Sequence, residues 1–518
     1  MKRSAGILLP VFSLPSPYGI GSIGAEARAF VDFLHAAGQS WWQLLPVGPA
    51  SKGNSPYTSE STFAGNPYFI DLDLLAEEGL LEETELGAAK VPASDQVDYP
   101  AVTKSREALL RKAFSRLSGS AAEAVRDFTK RNPWLKDYAL FCAAKKHFDG
   151  DAWYDWPDEA LRSHKKAAVE HWQAVLAEDI AFYSCVQYWF FQQWEALKTY
   201  ANRLGVRLIG DLPIYVSLDS SDVWGSRKDF LLDKTGHPSK VAGVPPDYFS
   251  EDGQLWGNPL YNWEAQKANG YRWWVRRIRG ASKLFDAVRI DHFRGLESYW
   301  AVPAEAETAK TGTWEKGPGM DLLGMLKAKF PRTALIAEDL GFLTEEVHAL
   351  REESGLPGMK VLEFAFSGPD NGYLPHNYTT PRCICYTGTH DNDTAAGWYA
   401  AATEKEKAFA EKYLGVSGTE AVRLALLRCG QGSVAELFIA QMQDYLGLGT
   451  EARLNVPGVA AGNWQWRLLP GQVTLELAKE IREMTALVNR CEPAEEPEPE
   501  AEPSGEATEE VNKEELSS

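Results

Sequence analysis

Three apolar runs in this chain end on acids in the same manner: Ala287-Val-Arg-Ile-Asp291-His292, Leu335-Ile-Ala-Glu338-Asp339 and Tyr386-Thr-Gly-Thr-His390-Asp391-Asn392-Asp393. A fourth, Ile209-Gly-Asp211-Leu-Pro, repeats the pattern. An acid placed where a hydrophobic strand gives way to a loop points out of the C-terminal mouth of a barrel, where sites of that fold lie. One such acid alone is as readily a helix N-cap or half of a loop salt bridge. Several converging on one mouth suit glycosyl transfer, in which a carboxylate attacks and a carboxylic acid about 5–5.5 Å away protonates the leaving oxygen. Clustered acids raise one another's proton affinity, which can keep the second one protonated near neutral pH. Arg289 lies two residues before Asp291 and so faces the same way on a strand. Its guanidinium is placed to hold a carboxylate ionised and oriented, or to form a buried structural ion pair. His292 and His390 each adjoin one of the acids, and a neutral imidazole can donate to a sugar hydroxyl.

The elements that must carry these residues follow from the apolar pattern. Short buried runs occupy 6–12, 41–47, 206–213, 287–293, 333–340, 359–366, 384–389 and 437–446. Stretches of helical periodicity lie beside them, such as 25–37, 271–284 and 344–354. Buried strands alternating with helices imply parallel βα units, and eight runs predict a closed (β/α)8 TIM barrel, an α/β fold, spanning about 1–490. The 47 residues from Asp291 to Glu338 fit one enlarged unit, and the 53 from Glu338 to Asp391 fit two compact ones. A bare barrel spends roughly 31 residues per unit. The far longer interval between the second and third runs therefore predicts an insertion over about 50–205, mostly helical. A second insertion, about 220–262, is rich in Gly, Pro and aromatics and reads as a long ordered loop. No C-terminal β-sandwich domain is expected.

Composition narrows the function. The net charge is −19, but the 27 residues from Glu492 onward hold 11 Glu against one Lys and supply −10 of it. That segment, 492–518, has too little apolar surface to offset its ordering entropy and is expected to be a disordered acidic tail. The mildly acidic body offers no basic stripe, which disfavours nucleic acid. Eighteen Trp, 20 Tyr and 22 Phe suit either sugar-stacking surfaces or an aromatic-rich core. Six cysteines without a C-x-x-C pair read as free thiols, and neither a signal-peptide stretch nor an apolar run of membrane-spanning length is evident, so a cytoplasmic protein with no membrane association is expected.

Longer motifs sharpen this reading. Gly210-Asp-Leu-Pro-Ile-Tyr-Val216, Phe285-Asp-Ala-Val-Arg-Ile-Asp-His-Phe-Arg-Gly295, Ile336-Ala-Glu-Asp-Leu-Gly341 and Thr387-Gly-Thr-His-Asp-Asn-Asp-Thr394 resemble the four signature regions of the α-amylase clan. Their form is similar to glycoside hydrolase family 77, the amylomaltases or disproportionating enzymes. Lys52-Gly-Asn-Ser-Pro-Tyr57, Ala242 to Ser250, Gly253-Gln-Leu-Trp-Gly-Asn-Pro-Leu-Tyr261, Arg453-Leu-Asn-Val-Pro-Gly458 and Asn463-Trp-Gln-Trp-Arg467 extend the resemblance. It implies a 4-α-glucanotransferase acting on maltooligosaccharides and α-1,4-glucans, with glucose or another glucan as acceptor. By the same resemblance Asp291 is the nucleophile, Glu338 the general acid/base, and Asp391 binds hydroxyls of the distorted sugar. Asp211, Arg289, His292 and His390 complete that sugar's pocket, Tyr57 and Trp256 add aromatic contacts, and Asn463 is a donor near the donor-sugar end. The loop of Trp256 is expected to act as a lid that excludes water. The chemistry needs no metal or organic cofactor. The competing readings are a barrel that binds glucans without turning them over, a hydrolase of the α-amylase type, and a phosphate-dependent disaccharide phosphorylase.

Overall fold

The computed structural model describes residues 3–51, 53–246, 251–341, 343–459 and 461–492. The acidic tail, apart from Glu492, and residues 247–250 of the expected lid lie outside the described residues.

Twelve strands are named in chain order: β1 (Ser4–Leu8), β2 (Trp41–Gln43), β3 (Arg207–Leu212), β4 (Lys240–Val244), β5 (Gln254–Pro259), β6 (Ala287–Ile290), β7 (Ser298–Pro303), β8 (Thr313–Lys316), β9 (Ala334–Ala337), β10 (Gly358–Val361), β11 (Cys383–Tyr386) and β12 (Leu437–Gln441). Eight of them form one parallel sheet in the order β10-β11-β12-β1-β2-β3-β6-β9. Each falls within, or overlaps, one of the eight apolar runs. The ring comes together where Ala337 N donates to Pro357 O at 3.0 Å, joining the end of β9 to the chain entering β10. This is the (β/α)8 barrel, and its strands are short and buried on both faces. Hence they read as continuous apolar runs with no alternation. Side chains press on the strand here: a Cβ on Gly210 of β3 would sit 2.1 Å from the ring of Phe285.

The chain between β2 and β3 is predominantly helical, with helices Tyr99–Arg116, Gly119–Arg131, Trp134–His147 and Ala177–Arg203 the longest. The last of these buries Phe182, Trp189, Phe190, Trp194 and Leu197. It also pins two loops with amide brackets. Gln187 accepts from Gly65 N (2.8 Å) and donates to Gly65 O (2.9 Å), while Gln193 does the same for Asp71 N (2.8 Å) and O (3.1 Å). Buried backbone groups outside regular structure need such partners. The segment leading back from Gly65 to Tyr57 is fastened further by Lys145 to Glu60 (3.2 Å), and by Thr62, whose N donates to Asp222 (2.6 Å) and whose Oγ1 accepts from Arg277 (2.9 Å). Arg277 also donates to the carbonyls of Pro213 and Ile214, fixing the turn that leaves β3.

The interval read as a long loop holds more order than that. It carries helix Ser221–Gly225 and the strands β4 and β5, which join β7 and β8 in a four-stranded antiparallel sheet of order β5-β4-β7-β8. β4 and β5 pair with each other, but the pairing that builds them into a four-stranded sheet is with residues 298–316, beyond the next barrel strand, and no local pattern announces it.

Gly210→Ala is expected to force Phe285 and its surroundings to shift, at about 1–3 kcal/mol. A fall in the urea midpoint with unchanged slope is the measurement that checks it.

Candidate active site

Register brings the predicted acids together. Asp211 pairs directly with Arg289 across β3 and β6, and Ile290 pairs with Ala337 across β6 and β9. Asp291 and Glu338 therefore leave neighbouring strands side by side, with strand axes about 4.7–4.9 Å apart. Asp291 N donates to Leu212 O (3.0 Å) and Glu338 N to Ile290 O (3.1 Å), which carries the ladder one residue past the strand ends.

Arg289, 3 % exposed, is the cation at the centre. Its Nη1 donates to both oxygens of Asp211 at 2.7 Å and to Asp291 Oδ1 at 2.9 Å. Asp211 also accepts from the Tyr57 hydroxyl at 2.6 Å. The Tyr57 ring stacks on His390, with centroids 5.0 Å apart, and Trp464 lies against both rings. Two sides of the mouth are thus joined by one phenol: its oxygen binds the charge chain and its face binds the imidazole.

Glu338 is held differently. Its oxygens accept from the backbone N–H groups of His292 (2.7 Å) and Leu340 (2.8 Å). His292 can present its N–H this way because it takes a left-handed conformation, φ 52°, uncommon for a residue with a side chain. Gly295 leaves room for it, since a Cβ there would come within 3.0 Å of the imidazole. The His292 ring meets Trp256 of β5 edge to face at 4.8 Å, which places the second insertion over this side of the site.

Asp391 is the most exposed of the acids; its side chain retains 47 % of its accessibility. Asn455 Nδ2 donates to its Oδ1 at 2.6 Å, Arg453 holds its carbonyl at 2.6 Å, and His390 Nε2 lies 3.4 Å from Oδ1. Asn463 is engaged elsewhere: its Oδ1 accepts from Val456 N (3.0 Å) and its Nδ2 donates to Val459 O (2.8 Å), so its amide closes its own loop. The neighbouring residues Asn455 and Trp464 make the contacts to the Asp391 and His390 region instead. Both lie in motifs already noted, and the signal for them is the density of Asn and Trp in those motifs.

Burial sets the protonation states. It pushes both Asp291 and Glu338 above the usual carboxylate range, with the charges of nearby acids acting the same way and Arg289 opposing. Two acids adjoining in one buried mouth, with one cation in contact with Asp291 alone, bind protons more tightly than they would in water. Burial, with help from Arg294, lowers His292 to about 3, and burial also lowers His390. Both imidazoles are therefore neutral at physiological pH and available as hydrogen-bonding groups. Among the described residues no cluster of His, Cys, Asp and Glu is arranged to hold a metal ion.

With this geometry in place, the comparisons with known proteins are decisive. Residues 9–473 match glycoside hydrolase family 77, described as 4-alpha-glucanotransferase. The chain belongs to this family. A 4-alpha-glucanotransferase of Thermus thermophilus is 47 % identical over 502 residues, covering 95 % of this chain and 99 % of that one. One from Clostridium butyricum is 45 % identical over 491 residues, covering 93 % and 100 %. The solved amylomaltase of Streptococcus agalactiae, in complex with acarbose, superimposes with a TM-score of 0.92 at 39 % identity, covering 95 % of this chain and all of that one. The chain is thus a family 77 enzyme, a 4-α-glucanotransferase, in the barrel of its solved relative.

Two consequences are measurable. Arg289→Met leaves the buried Asp211 carboxylate without its cation and is expected to cost about 3–5 kcal/mol in urea unfolding. His292 accepts a proton near pH 6.5 when unfolded but only at about 3 when folded. The unfolded state therefore binds more protons in that window, and the associated stability is complete above the unfolded value and is lost as pH falls through it. His292→Gln is expected to flatten stability against pH between those limits.

Proposed function

We propose that this chain transfers α-1,4-glucan segments from a donor maltodextrin to the 4-hydroxyl of glucose or another glucan by retaining double displacement. Asp291 attacks the anomeric carbon while Glu338 gives its proton to the departing glycosidic oxygen, so a covalent glycosyl-enzyme forms and a shortened glucan leaves. Glu338, now ionised, takes the proton from the acceptor's 4-hydroxyl as that oxygen displaces Asp291, which returns both carboxyls to their starting states. The observation that supports this division is the asymmetry of their partners: Arg289 lies on Asp291 at 2.9 Å, whereas Glu338 has only backbone N–H partners at 2.7 and 2.8 Å. A cation in contact favours the ionised form that a nucleophile needs, whereas Arg289 opposes the burial of Glu338 only from beyond contact.

Asp391, oriented by Asn455, accepts from hydroxyls of the sugar at the cleavage point, and neutral His292 and His390 donate to others. Tyr57, Trp464 and Trp256 offer faces to pyranose rings. Asn463 stabilises the loop that borders the donor side. The insertion bearing Trp256 covers the acceptor side as a lid and favours a sugar hydroxyl over water as the second nucleophile. The four buried thiols, Cys142, Cys185, Cys383 and Cys385, fit a cytoplasmic enzyme of starch, glycogen or maltodextrin metabolism. The proposed reaction itself draws on protein groups alone.

Incubation with maltotriose, without phosphate, is expected to give glucose and a ladder of longer maltodextrins with nearly constant total reducing ends; rising reducing ends would replace transfer by hydrolysis. Glu338→Gln, given an activated α-glycosyl fluoride donor, is expected to accumulate a glycosylated peptide containing Asp291, seen by mass spectrometry. Label on any other residue would remove Asp291 from the nucleophile's role.

A further inference from the structure

Beneath the turn that carries His390 and Asp391 lies a carboxyl that the proposed mechanism does not use. Glu363 follows β10, in the short helix Leu362–Phe364, and is 8 % exposed. Its backbone N donates to Thr387 O at 3.2 Å, which ties its own turn to the chain leaving β11. The carboxyl packs against the backbone of that chain: a Cβ on Gly388 would meet Glu363 Oε1 at 2.4 Å and Gln441 Nε2 at 3.0 Å, so only glycine fits. The Asn392 side chain faces the carboxyl. The opposite end of that amide, Oδ1, accepts from Thr389 N at 3.0 Å and Thr389 Oγ1 at 2.8 Å. Glu363, Asn392 and Thr389 thus form a stack directly under the two substrate-facing residues.

The surroundings are wrong for an anion. Glu363 Oε1 is buried without a hydrogen-bond partner. The charged groups that face the carboxyl from the elements around it are Asp444, from the helix after β12, Asp393, from the same turn, and Arg453, from the loop beyond. Arg453 already donates to Asp391 O and Asn455 O and lies 3.9 Å from Asp393. Asp444 has both oxygens engaged, by Thr387 Oγ1 and Ala395 N. An ionised Glu363 would add a buried charge beside two acids, with one shared cation.

We propose that Glu363 is a positioning residue, wedged as an uncharged acid against Gly388 and Asn392 so that the turn presents His390 and Asp391 to substrate. Burial first, then Asp444 and Asp393, push its proton affinity well up, in agreement with that state. Its link to turnover rests on the glucanotransferase reading, whereas its protonation can be tested without turnover.

The experiment compares the full-length wild type with Glu363→Gln and Glu363→Leu. A glutamine keeps the size and polarity of the neutral acid; a leucine keeps the volume alone. The folded wild type holds a proton that the unfolded chain releases at about pH 4.3, so this group costs stability progressively as pH rises above that value. Glu363→Gln escapes the cost. Its thermal midpoint is expected to exceed the wild type's at about pH 8, with the gap closing toward about pH 4. With maltotriose at neutral pH its kcat is expected to stay within about two-fold of the wild type, while Glu363→Leu loses on the order of ten-fold in kcat. A glutamine variant that melts below the wild type at about pH 8 overturns the proposal, as does one that loses kcat as the leucine variant does, or a leucine variant of full activity. If the wild type itself fails to disproportionate maltotriose, the functional reading falls and the thermal comparison still decides the state of Glu363.

Discussion

One guanidinium organises the mouth of this barrel. Arg289 stands between Asp211 and Asp291 and is the cation in contact with both. Buried carboxylates repel one another and resist leaving water; a paired cation offsets both effects only where the hydrogen bonds are complete. Here Asp211 is saturated by Arg289 and Tyr57, so it carries the charge balance. Asp291 receives the remaining share of the cation in direct contact, and Glu338 receives none. Two chemically similar acids thus differ in how a single positive charge is apportioned, and the proposed division of labour rests on that difference.

The barrel supplies the strand ends, but the insertions decide what surrounds them. Tyr57 reaches the charge chain because its segment is fastened by Gln187, Lys145, Asp222 and Arg277, four residues from three separate stretches of chain. Trp256 reaches His292 because β5 belongs to a sheet that two strands beyond β6, β7 and β8, complete. On the third side, the loop that Asn463 closes delivers Asn455 to Asp391 and Trp464 to the Tyr57–His390 pair. Neutral histidines, dry carboxyls and fixed aromatic faces are all products of that enclosure.

Much of this was legible in the residue order, for identifiable reasons. A doubly buried parallel strand is apolar along most of its length, so Ala287–Ile290, Arg289 apart, or Cys383–Tyr386 can be read directly, and an acid at its end stands out against that background. Asp211, Asp291, Glu338 and Arg289 were recoverable because strand register alone assembles them. The antiparallel sheet was not, since Lys240–Val244 becomes a strand through pairing with Ser298–Pro303, far along the chain. Asn455 and Trp464 were hidden among polar loop residues, and nothing in their spacing separates them from Asn463, whose amide turns inward on its own loop. The role of Glu363 depends on what Gly388 and Asn392 bring to it, which only folding reveals.

The order of strands around the ring also has a temporal side. β1 is bonded to β2 on one flank and to β12 on the other, from Ser4 opposite Leu437 to Leu8 opposite Gln441. β1 thus leaves the ribosome well before β12 and keeps an open edge until that strand has been made, an interval of about 20–90 s at 5–20 residues per second. Unpaired apolar edges are what chaperones recognise and what aggregates are built from. A cell making this protein must shelter β1 for as long as β12 is unmade, and a truncation that removes β12 would lay bare β1 as surely as β11.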